Sequence, residues 1–519
     1  MRRIDTSSVK QKCRLFSQLV LLLALSAYVF SNGYENTGCC DDASSKPNIL
    51  LILADDMGYS DLGCYGGEIE TPHLDALATN GLRYTQFYNT GRCWPTRCSL
   101  MTGYYPTQIR MDPPRGRFPD WAVPLPRYLG PLGYRCYHSG KWHVRGAPKP
   151  IADAGFDRSY MLEDQDRFFH PTRHSLDDKR LPPVEPSSDY YASTVIADHA
   201  IECLESHAEK SPDQPFFEYL AFTSPHFPLH APQEDIDKYR TRYQCGWDEI
   251  RRERFERMQT MGLVNYDLSE SRFDIVPSWN FSPDRLSAEI GPGEAPFAVP
   301  WDSLSDEQRQ FQADKMAIHA AMIDRMDQEV GRVLQQVRDM GAWENTVVIF
   351  FSDNGASAEI IIRGDMHDPE AEPGSAASYL CLGPGWSTAA NTPLTLHKSW
   401  NHEGGISTPL IVHWPDGIKD RGALRMTPGH VVDLAPTILD LVGPISNEEP
   451  SVVESPLHAG ISLTPSFSED VELDREYLYF RHAGNRALRT GNWKIVSRVG
   501  NEGRWELYDL SIDRCEQND

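Results

Sequence analysis

Cys93 stands at the start of a segment whose residues favour the binding of an anion. In the run Cys93-Trp94-Pro95-Thr96-Arg97, the proline is typical of the first turn of a helix, which places residue 93 near a helix N-terminus. Backbone N–H groups and the helix dipole stabilise negative charge there, and the Arg97 guanidinium can bind an oxyanion. A buried structural thiol is the alternative for a single cysteine. The pattern predicts an anion site at residue 93.

Oxygen ligands follow two apolar segments. Asp55 and Asp56 come directly after the run 49–54, and Asp353 and Asn354 follow the run 346–351. Carboxylate and amide oxygens suit Ca²⁺ or Mg²⁺ much better than Zn²⁺, which prefers thiolate or imidazole ligands. Either pair alone is also common in turns. Together with Cys93, the two pairs predict a divalent cation beside the anion site.

Basic side chains recur in three further short motifs. Lys141 and His143 lie in G-K-W-H, His226 lies between two prolines in P-H-F-P, and Lys398 precedes E-G-G-I by five residues. Taken singly, each of these residues is more typical of a satisfied structural position or a solvated surface. Their joint occurrence with Cys93 predicts a cationic pocket.

The elements that must position these residues alternate between strand and helix. Strands are predicted at 49–54, 133–137, 216–222, 346–351 and 410–414, and helices at 71–78, 190–207, 307–340 and 434–441. This alternation predicts an α/β fold: a large, mainly parallel sheet sandwiched by helices, with ligands beyond the carboxyl ends of the strands. The stretch 234–306 is predicted to be an irregular insertion, and the tail 476–510 a small antiparallel sheet.

The length of 519 residues predicts one large domain and a smaller one. We assign 1–35 to a signal peptide, 36–46 to a linker, 47–445 to the catalytic domain and 446–519 to a smaller C-terminal α+β subdomain. The basic start and the apolar run 19–25 predict a secreted or periplasmic protein. A retained membrane anchor is the alternative, and Cys39 and Cys40 leave lipid attachment open.

The net charge of −24 excludes partners that require a positive field. Nucleic acid and anionic membrane surfaces are such partners, so neither they nor a stable membrane partner is expected. An anionic substrate would then need a local basic pocket. The eleven cysteines lack paired metal-ligand spacing, so a zinc ribbon is not indicated.

The motifs resemble those of one family. C-W-P-T-R followed by T-G at 102–103 resembles the C-x-P-S/T-R signature of formylglycine-dependent type I sulfatases, which belong to the alkaline phosphatase superfamily. Thr96 stands where serine is commoner. The D-D, G-K-W-H, P-H-x-P, D-N-G and E-G-G segments are similar to further motifs of that family, and the resemblance runs from about residue 47 to residue 510. It is closest to the arylsulfatases.

The resemblance implies that a maturation enzyme oxidises Cys93 to formylglycine, whose hydrate attacks the sulfur of a sulfate ester. It implies Ca²⁺, or Mg²⁺, as cofactor, and a sulfated small molecule or glycan as substrate. The implied metal contacts are residue 93 itself and Asp55, Asp56, Asp353 and Asn354.

The resemblance also implies roles for the basic residues. Lys141, His226 and Lys398 would bind sulfate oxygens, with His226 or Lys398 protonating the leaving alcohol, while Arg97 would stabilise the nucleophile. His143 would take a proton from the second hydroxyl of the hydrate, so that sulfate is eliminated and the aldehyde returns.

Two other functions stay open at this point. A phosphate or phosphonate monoester hydrolase could share this superfamily and this cysteine motif, although no second set of His and Asp ligands is apparent. A catalytically silent protein that binds sulfated glycans would follow if Cys93 were never oxidised.

Overall fold

Continuous apolar runs form the central strands of a large sheet. The computed structural model describes residues 46–443 and 456–519. Within these ranges the larger sheet contains eleven strands: β1 (Asn48–Ala54), β2 (Leu82–Tyr88), β3 (Arg135–Gly140), β4 (Arg158–Leu162), β5 (His174–Leu176), β6 (Lys179–Arg180), β7 (Phe216–Ala221), β8 (Thr346–Ser352), β9 (Ser407–His413), β10 (Ala423–Arg425) and β11 (Gly429–His430).

The sheet is mainly parallel. The strand order is β10-β2-β9-β8-β1-β7-β3-β4-β5-β6, with β11 also paired to β2. The central strands β8, β1, β7 and β3 are parallel to one another, whereas β9 pairs antiparallel with both β8 and β2. The predicted fold class is confirmed, and the carboxyl ends of the four central parallel strands meet at one edge.

Helices cover both faces of this sheet. The described helices are α1 (Pro72–Thr79), α2 (Cys93–Thr102), α3 (Leu125–Leu129), α4 (Ala192–Lys210), α5 (Gln233–Tyr239), α6 (Trp247–Thr260), α7 (Pro283–Glu289), α8 (Asp306–Asp339), α9 (Gly383–Ala390), α10 (Glu403–Ile406) and α11 (Leu434–Val442). The 34-residue helix α8 begins with a capping box formed by Ser305 and Gln308, which satisfies N–H groups at its first turn.

Strand β1 lies between two hydrophobic cores, which accounts for its continuous apolar run from Ile49 to Ala54. Leu50 and Ile52 pack into one hydrophobic core, whereas Ile49, Leu51 and Leu53 pack into a second core on the opposite face of the sheet. Successive side chains of a strand point to opposite faces, so a strand covered on both sides needs apolar residues at every position. Each fully buried side chain of this kind stabilises the fold by about 1.5–3 kcal/mol.

The prediction of an irregular insertion at 234–306 is wrong in part. This stretch contains α6 and α7 and most of α5. On α6 the buried face includes Arg251 and Arg254 as well as Ile250 and Phe255. Arg254 is neutralised by Asp61 at 2.7 Å and by Glu68 at 2.8 Å. Because charged residues occupy part of the buried face, the apolar periodicity of this helix is broken.

A second, smaller sheet lies in the C-terminal region, as predicted. It is a four-stranded antiparallel sheet formed by β12 (Leu478–His482), β13 (Asn485–Thr490), β14 (Trp493–Ser497) and β15 (Glu506–Asp509). The described residues form one compact unit, and a shared core joins Tyr88 and Ile406 to apolar residues of the small sheet.

A buried ionic network also joins the two sheets. Glu403, at the start of α10, accepts hydrogen bonds from Lys494 at 2.8 Å, Arg514 at 3.2 Å and Tyr88 at 2.9 Å. Lys494 also pairs with Glu516 at 2.8 Å. These charges are buried and compensate one another. The E-G-G segment is therefore fixed by residues near the C-terminus of the chain.

Several predictions lie outside the described residues. They are the signal peptide 1–35, all but the last residue of the linker 36–46, Cys39 and Cys40, and the boundary between residues 445 and 446. Among the described residues, no helix combines the length and the apolarity that a membrane span requires. The eight described cysteines carry free thiols.

Candidate active site

The pairs Asp55-Asp56 and Asp353-Asn354 meet at the carboxyl ends of neighbouring strands. Strands β1 and β8 are parallel and in register, with Ala54 opposite Ser352, so the residues that follow them are adjacent. The Asn354 amide donates to Asp56 Oδ1 at 2.6 Å, and the Asp353 backbone N–H donates to the carbonyl of Ala54 at 3.1 Å. Asp56 has a φ of 66°, a left-handed conformation that is uncommon for a residue with a side chain.

This cluster is buried and incompletely satisfied. Asp55 Oδ1 and Asn354 Oδ1 have no hydrogen-bond partner among the described residues. Burial raises the pKa of Asp55, and the neighbouring Asp353 raises it further; burial also raises the pKa of Asp56. Both shifts are the expected cost of placing carboxylates together away from water. A bound cation would remove that cost, so the oxygen ligands fit Ca²⁺ or Mg²⁺.

His226 also lies close enough to be considered as a metal ligand. One oxygen each of Asp55 and Asp56 and one ring nitrogen of His226 lie within 4.8 Å of one another. The Nε2 atom of His226 is 3.8 Å from Asp56 Oδ2, and its Nδ1 atom is 2.5 Å from the carbonyl of Phe227. Hard cations prefer oxygen ligands, and the oxygen-bearing side chains of this cluster are Asp55, Asp56, Asp353 and Asn354, whereas His226 offers a nitrogen.

Cys93 is the first residue of α2 and is buried beside this cluster. Burial raises the pKa of its thiol; Lys141 and Lys398 act against that shift, and Asp353 and Asp55 add to it. These interactions place Cys93 among the predicted site residues. The helix start was predicted from Pro95, and it directs the first backbone N–H groups of α2 toward the same region.

Arg97 connects the cysteine helix to the acidic cluster. Its Nε donates to Asp353 Oδ2 at 2.8 Å, and its Nη1 donates to the carbonyl of Lys141 at 2.8 Å. Its Nη2 lies 3.7 Å from Asp55 Oδ2 and, within the described part of the chain, makes no hydrogen bond although it is buried. Burial would lower the pKa of Arg97, but the neighbouring acidic groups outweigh it and raise the pKa. Arg97 is therefore a permanent cation with one donor left free.

The two lysines pair with different carboxylates of the cluster. Lys141 forms an ion pair with Asp55, and Lys398 donates to Asp56 Oδ2 at 2.7 Å. Burial would lower the pKa of Lys398, but Asp56 and Glu359 outweigh it, so its pKa is raised and the ammonium stays charged. The structure brings both lysines to the site, as the sequence predicts.

His143 lies at the same site and is uncharged at neutral pH. Burial lowers its pKa well below the ordinary value, and the charges of Lys141 and Arg97 lower it further. Its Nδ1 atom is buried and has no hydrogen-bond partner in the ranges that the structure describes, and its ring centre lies 6.0 Å from that of Trp94. A neutral imidazole can accept a proton, which suits a general base.

Glu359 is a site residue that carries no sequence signal. Its carboxylate lies 3.4 Å from Lys398 Nζ and 3.3 Å from Arg92 Nη2, and it accepts a hydrogen bond from Trp279 at 2.8 Å. Burial would raise its pKa, but Lys398 and Arg92 lower it to about 2. Glu359 is therefore a second carboxylate partner of Lys398, in addition to Asp56.

We expect Glu359→Gln to destabilise the fold by about 3 kcal/mol, because removing one partner of a buried pair leaves uncompensated charge. Urea unfolding at pH 7 measures this. Since the folded pKa lies below the ordinary value of 4.5, the carboxylate's contribution is fully present above that pH and is lost as the pH falls toward 2. The exposed Glu289, paired with Arg285 on α7, is the matched control; equal losses in Glu359→Gln and Glu289→Gln would contradict the assignment.

Comparisons with known proteins point to one family. The Sulfatase family model matches residues 47–444. The chain belongs to the sulfatase family. A second model, described as N-sulphoglucosamine sulphohydrolase, C-terminal, matches residues 395–519 of this sulfatase. The family membership identifies the chain as a sulfuric ester hydrolase and confirms the resemblance found in the motifs.

Relatives cover most of this sulfatase. An uncharacterised sulfatase of Schizosaccharomyces pombe is 32% identical, with 91% of this chain and 90% of the relative covered. An arylsulfatase of Klebsiella aerogenes is 29% identical over 81% of this chain and 91% of its own. Among solved structures, Ps i-CgsB in complex with a neocarrahexaose has a TM-score of 0.61 at 23% identity, with 91% and 88% of the two chains covered. The last likeness concerns the fold alone.

Proposed function

We propose that this sulfatase hydrolyses sulfate esters with formylglycine formed from Cys93 and with a divalent cation. The observation that carries the proposal is the burial of Cys93 among Lys141, Lys398, Asp55 and Asp353. Burial raises the pKa of the thiol, so an unmodified Cys93 stays protonated at neutral pH and is a poor nucleophile. Cationic side chains that can bind an anion lie near Cys93, but its thiol is not activated as a nucleophile. This combination favours a modified residue at position 93.

The aldehyde of formylglycine would supply, once hydrated, one hydroxyl that attacks sulfur and a second whose deprotonation releases sulfate. His143 is neutral and accepts the proton of that second hydroxyl. Arg97 presents its free Nη2 donor to the developing oxyanion. General acid and base steps of this kind contribute about 10² to 10⁴-fold each.

Asp55, Asp56, Asp353 and Asn354 would hold Ca²⁺ or Mg²⁺, which would supply positive charge to polarise the sulfate. The charges around the pocket support this: four carboxylates (Asp55, Asp56, Asp353, Glu359) face four cationic side chains (Arg92, Arg97, Lys141, Lys398). The protein groups therefore balance, and a divalent cation would leave a net positive pocket for a sulfate ester.

Lys141 and Lys398 bind the sulfate oxygens, and Lys398 is the better placed of the two proposed proton donors. Burial, together with Lys398 and Lys141, lowers the pKa of His226 well below its ordinary value, so its imidazole is neutral. Its Nδ1–H donates to the carbonyl of Phe227 at 2.5 Å, which leaves Nε2 without a proton to give to the substrate. Lys398 remains an ammonium with a proton to give. We therefore assign the protonation of the leaving alcohol to Lys398, and His226 binds a sulfate oxygen only when its Nε2 atom carries a proton.

The substrate is proposed to be an aryl sulfate or a sulfated carbohydrate. Named relatives include the Klebsiella arylsulfatase and N-acetylgalactosamine-6-sulfatase of Homo sapiens, the latter 25% identical to this chain. A maturation enzyme that oxidises Cys93 is a required partner. The basic and apolar N-terminal residues further support secretion or export to a periplasm.

Kinetics on matched aryl esters test the reaction. The chain, co-expressed with a formylglycine-generating enzyme, is expected to hydrolyse 4-nitrophenyl sulfate at least 100-fold faster than 4-nitrophenyl phosphate. Mass spectrometry of the peptide containing residue 93 should show an aldehyde in the active preparation. An intact thiol in the most active preparation would contradict the mechanism, and an intact thiol without activity would support a silent glycan-binding protein.

A phosphate or phosphonate monoesterase is the second candidate. Two-metal phosphatases need a further ligand set. Among the described residues, the one group of three or more His, Cys, Asp and Glu side chains with ligand spacing is the cluster of Asp55, Asp56 and His226. A preference for 4-nitrophenyl phosphate in the kinetics above would favour this candidate over sulfate ester hydrolysis.

A further inference from the structure

Trp94, the residue after Cys93, contacts several basic and aromatic side chains near the site. Its ring lies under two guanidinium groups, those of Arg145 at 4.5 Å and Arg92 at 5.6 Å from the ring centre. The ring centre of His482 lies 5.3 Å away, and the indole N–H donates to the carbonyl of Met111 at 3.1 Å. The indole is thus fixed by contacts from several segments and can hold a guanidinium in one position.

The two stacked arginines differ in their charge partners. Arg92 is neutralised by Glu359. Arg145 is exposed and, among the described residues, has neither an ion-pair partner nor a side-chain hydrogen bond. Stacking uses the flat face of a guanidinium and leaves its N–H donors, which lie in the plane, free to bind an anion. Arg145 is therefore a positioned cation with unused donors.

The charged residues near Trp94 do not neutralise the positive charge of Arg145. Asp112, which follows Met111, is paired with His482 at 3.1 Å. Arg110 and Arg115, in the loop that contains Met111, are exposed and also lack a carboxylate partner among the described residues. This local excess of positive charge stands in a chain of net charge −24.

We propose that Arg145, positioned by Trp94, binds a second anionic group of the substrate, on the part of the molecule that carries the scissile sulfate ester. The substrate class is a carbohydrate with at least two sulfate or carboxylate groups. This inference rests on the proposed function, since it assumes that the scissile sulfate occupies the pocket at Cys93. It assigns Arg145 to substrate selection and gives it no part in the chemistry.

The position explains why a second anion would be recognised there. The ring centre of Trp94 lies 6.0 Å from that of His143, so a guanidinium stacked on the indole lies near the reaction centre. A charge-assisted and bidentate contact between arginine and a sulfate or carboxylate gives both affinity and orientation. A substrate with a single charge cannot make this contact.

Calorimetric titration of the full chain carrying Cys93→Ser, which prevents turnover, tests the inference. The two probes are inorganic sulfate, which needs only the pocket, and sucrose octasulfate, a compact polysulfated sugar. Adding Arg145→Gln is expected to raise the ratio of the Kd for sucrose octasulfate to the Kd for sulfate about 10-fold, as expected for loss of a hydrogen bond to a charged group.

Lys179→Gln is the matched control, because it also removes one exposed positive charge but lies on β6, the outermost strand of the large sheet. This control should leave the ratio unchanged. An unchanged ratio in Arg145→Gln, or an equal rise in Lys179→Gln, would overturn the inference. Failure of the proposed function would be seen separately, as absence of 4-nitrophenyl sulfate hydrolysis by the chain with Cys93 oxidised.

Discussion

Cys93→Ser is expected to abolish turnover, with a loss in kcat on the order of 10⁴-fold for 4-nitrophenyl sulfate. A serine hydroxyl could accept sulfate once, but it lacks the second hydroxyl whose deprotonation releases sulfate. The substitution thus removes both the activated nucleophile and the step assigned to His143, each of which contributes about 10²-fold or more to the rate. Steady-state release of 4-nitrophenol, measured after maturation of the wild-type chain, gives the comparison.

Cys98→Ser is the matched control for this experiment. Cys98 is buried on the same helix, five residues after Cys93, and its sulfur lies outside the proposed machinery. We expect this variant to keep most of its activity, and circular dichroism should show both serine variants folded. Full activity in Cys93→Ser would refute the elimination step, whereas equal loss in both variants would indicate damage to the helix.

Asp353→Asn is expected to remove activity and bound cation together. Asparagine keeps the volume of the side chain and an oxygen that can accept from Arg97, but it removes one of three carboxylate charges. Because the affinity for Ca²⁺ depends on the number of charged ligands, we expect the Kd for Ca²⁺ to rise on the order of 100-fold. Metal analysis after dialysis and titration calorimetry measure this change.

The control must separate cation loss from general destabilisation, since Asp353 also pairs with the buried Arg97 at 2.8 Å. Glu294→Gln breaks a comparable buried pair, with Lys315 at 2.7 Å, outside the site. We expect Glu294→Gln to lower stability but keep the cation. Unchanged cation content in Asp353→Asn would show that Asp353 is not a ligand.

The sequence predicts the part of the site that depends on local patterns. Pro95 marks the start of the helix at Cys93. The pairs Asp55-Asp56 and Asp353-Asn354 follow apolar strands that are parallel neighbours in the sheet. Such features are readable because a helix start and a strand end each have a signature within a few residues.

The rest of the site depends on contacts between distant segments. Glu359 lies seven residues after β8, and its only local feature is that it is an acid among small and apolar residues. Its partners Arg92, Trp279 and Lys398 come from three other regions of the chain. The sequence does not predict helix α6 for a related reason. Arg254 is buried on this helix because the distant carboxylates of Asp61 and Glu68 compensate its charge.

The ionic network around Glu403 restricts how this protein could be recombined with its relatives. Its four charged members come from α10, β14 and the last six residues of the chain, and exchanging one alone would leave a charge without its counter-ion in a dry interior. A chimaera that takes its small sheet from another family member must therefore also take compatible residues at 403, 494, 514 and 516. The C-terminal sheet is therefore not an interchangeable module, because its buried charges and that of Glu403 in the E-G-G segment compensate one another.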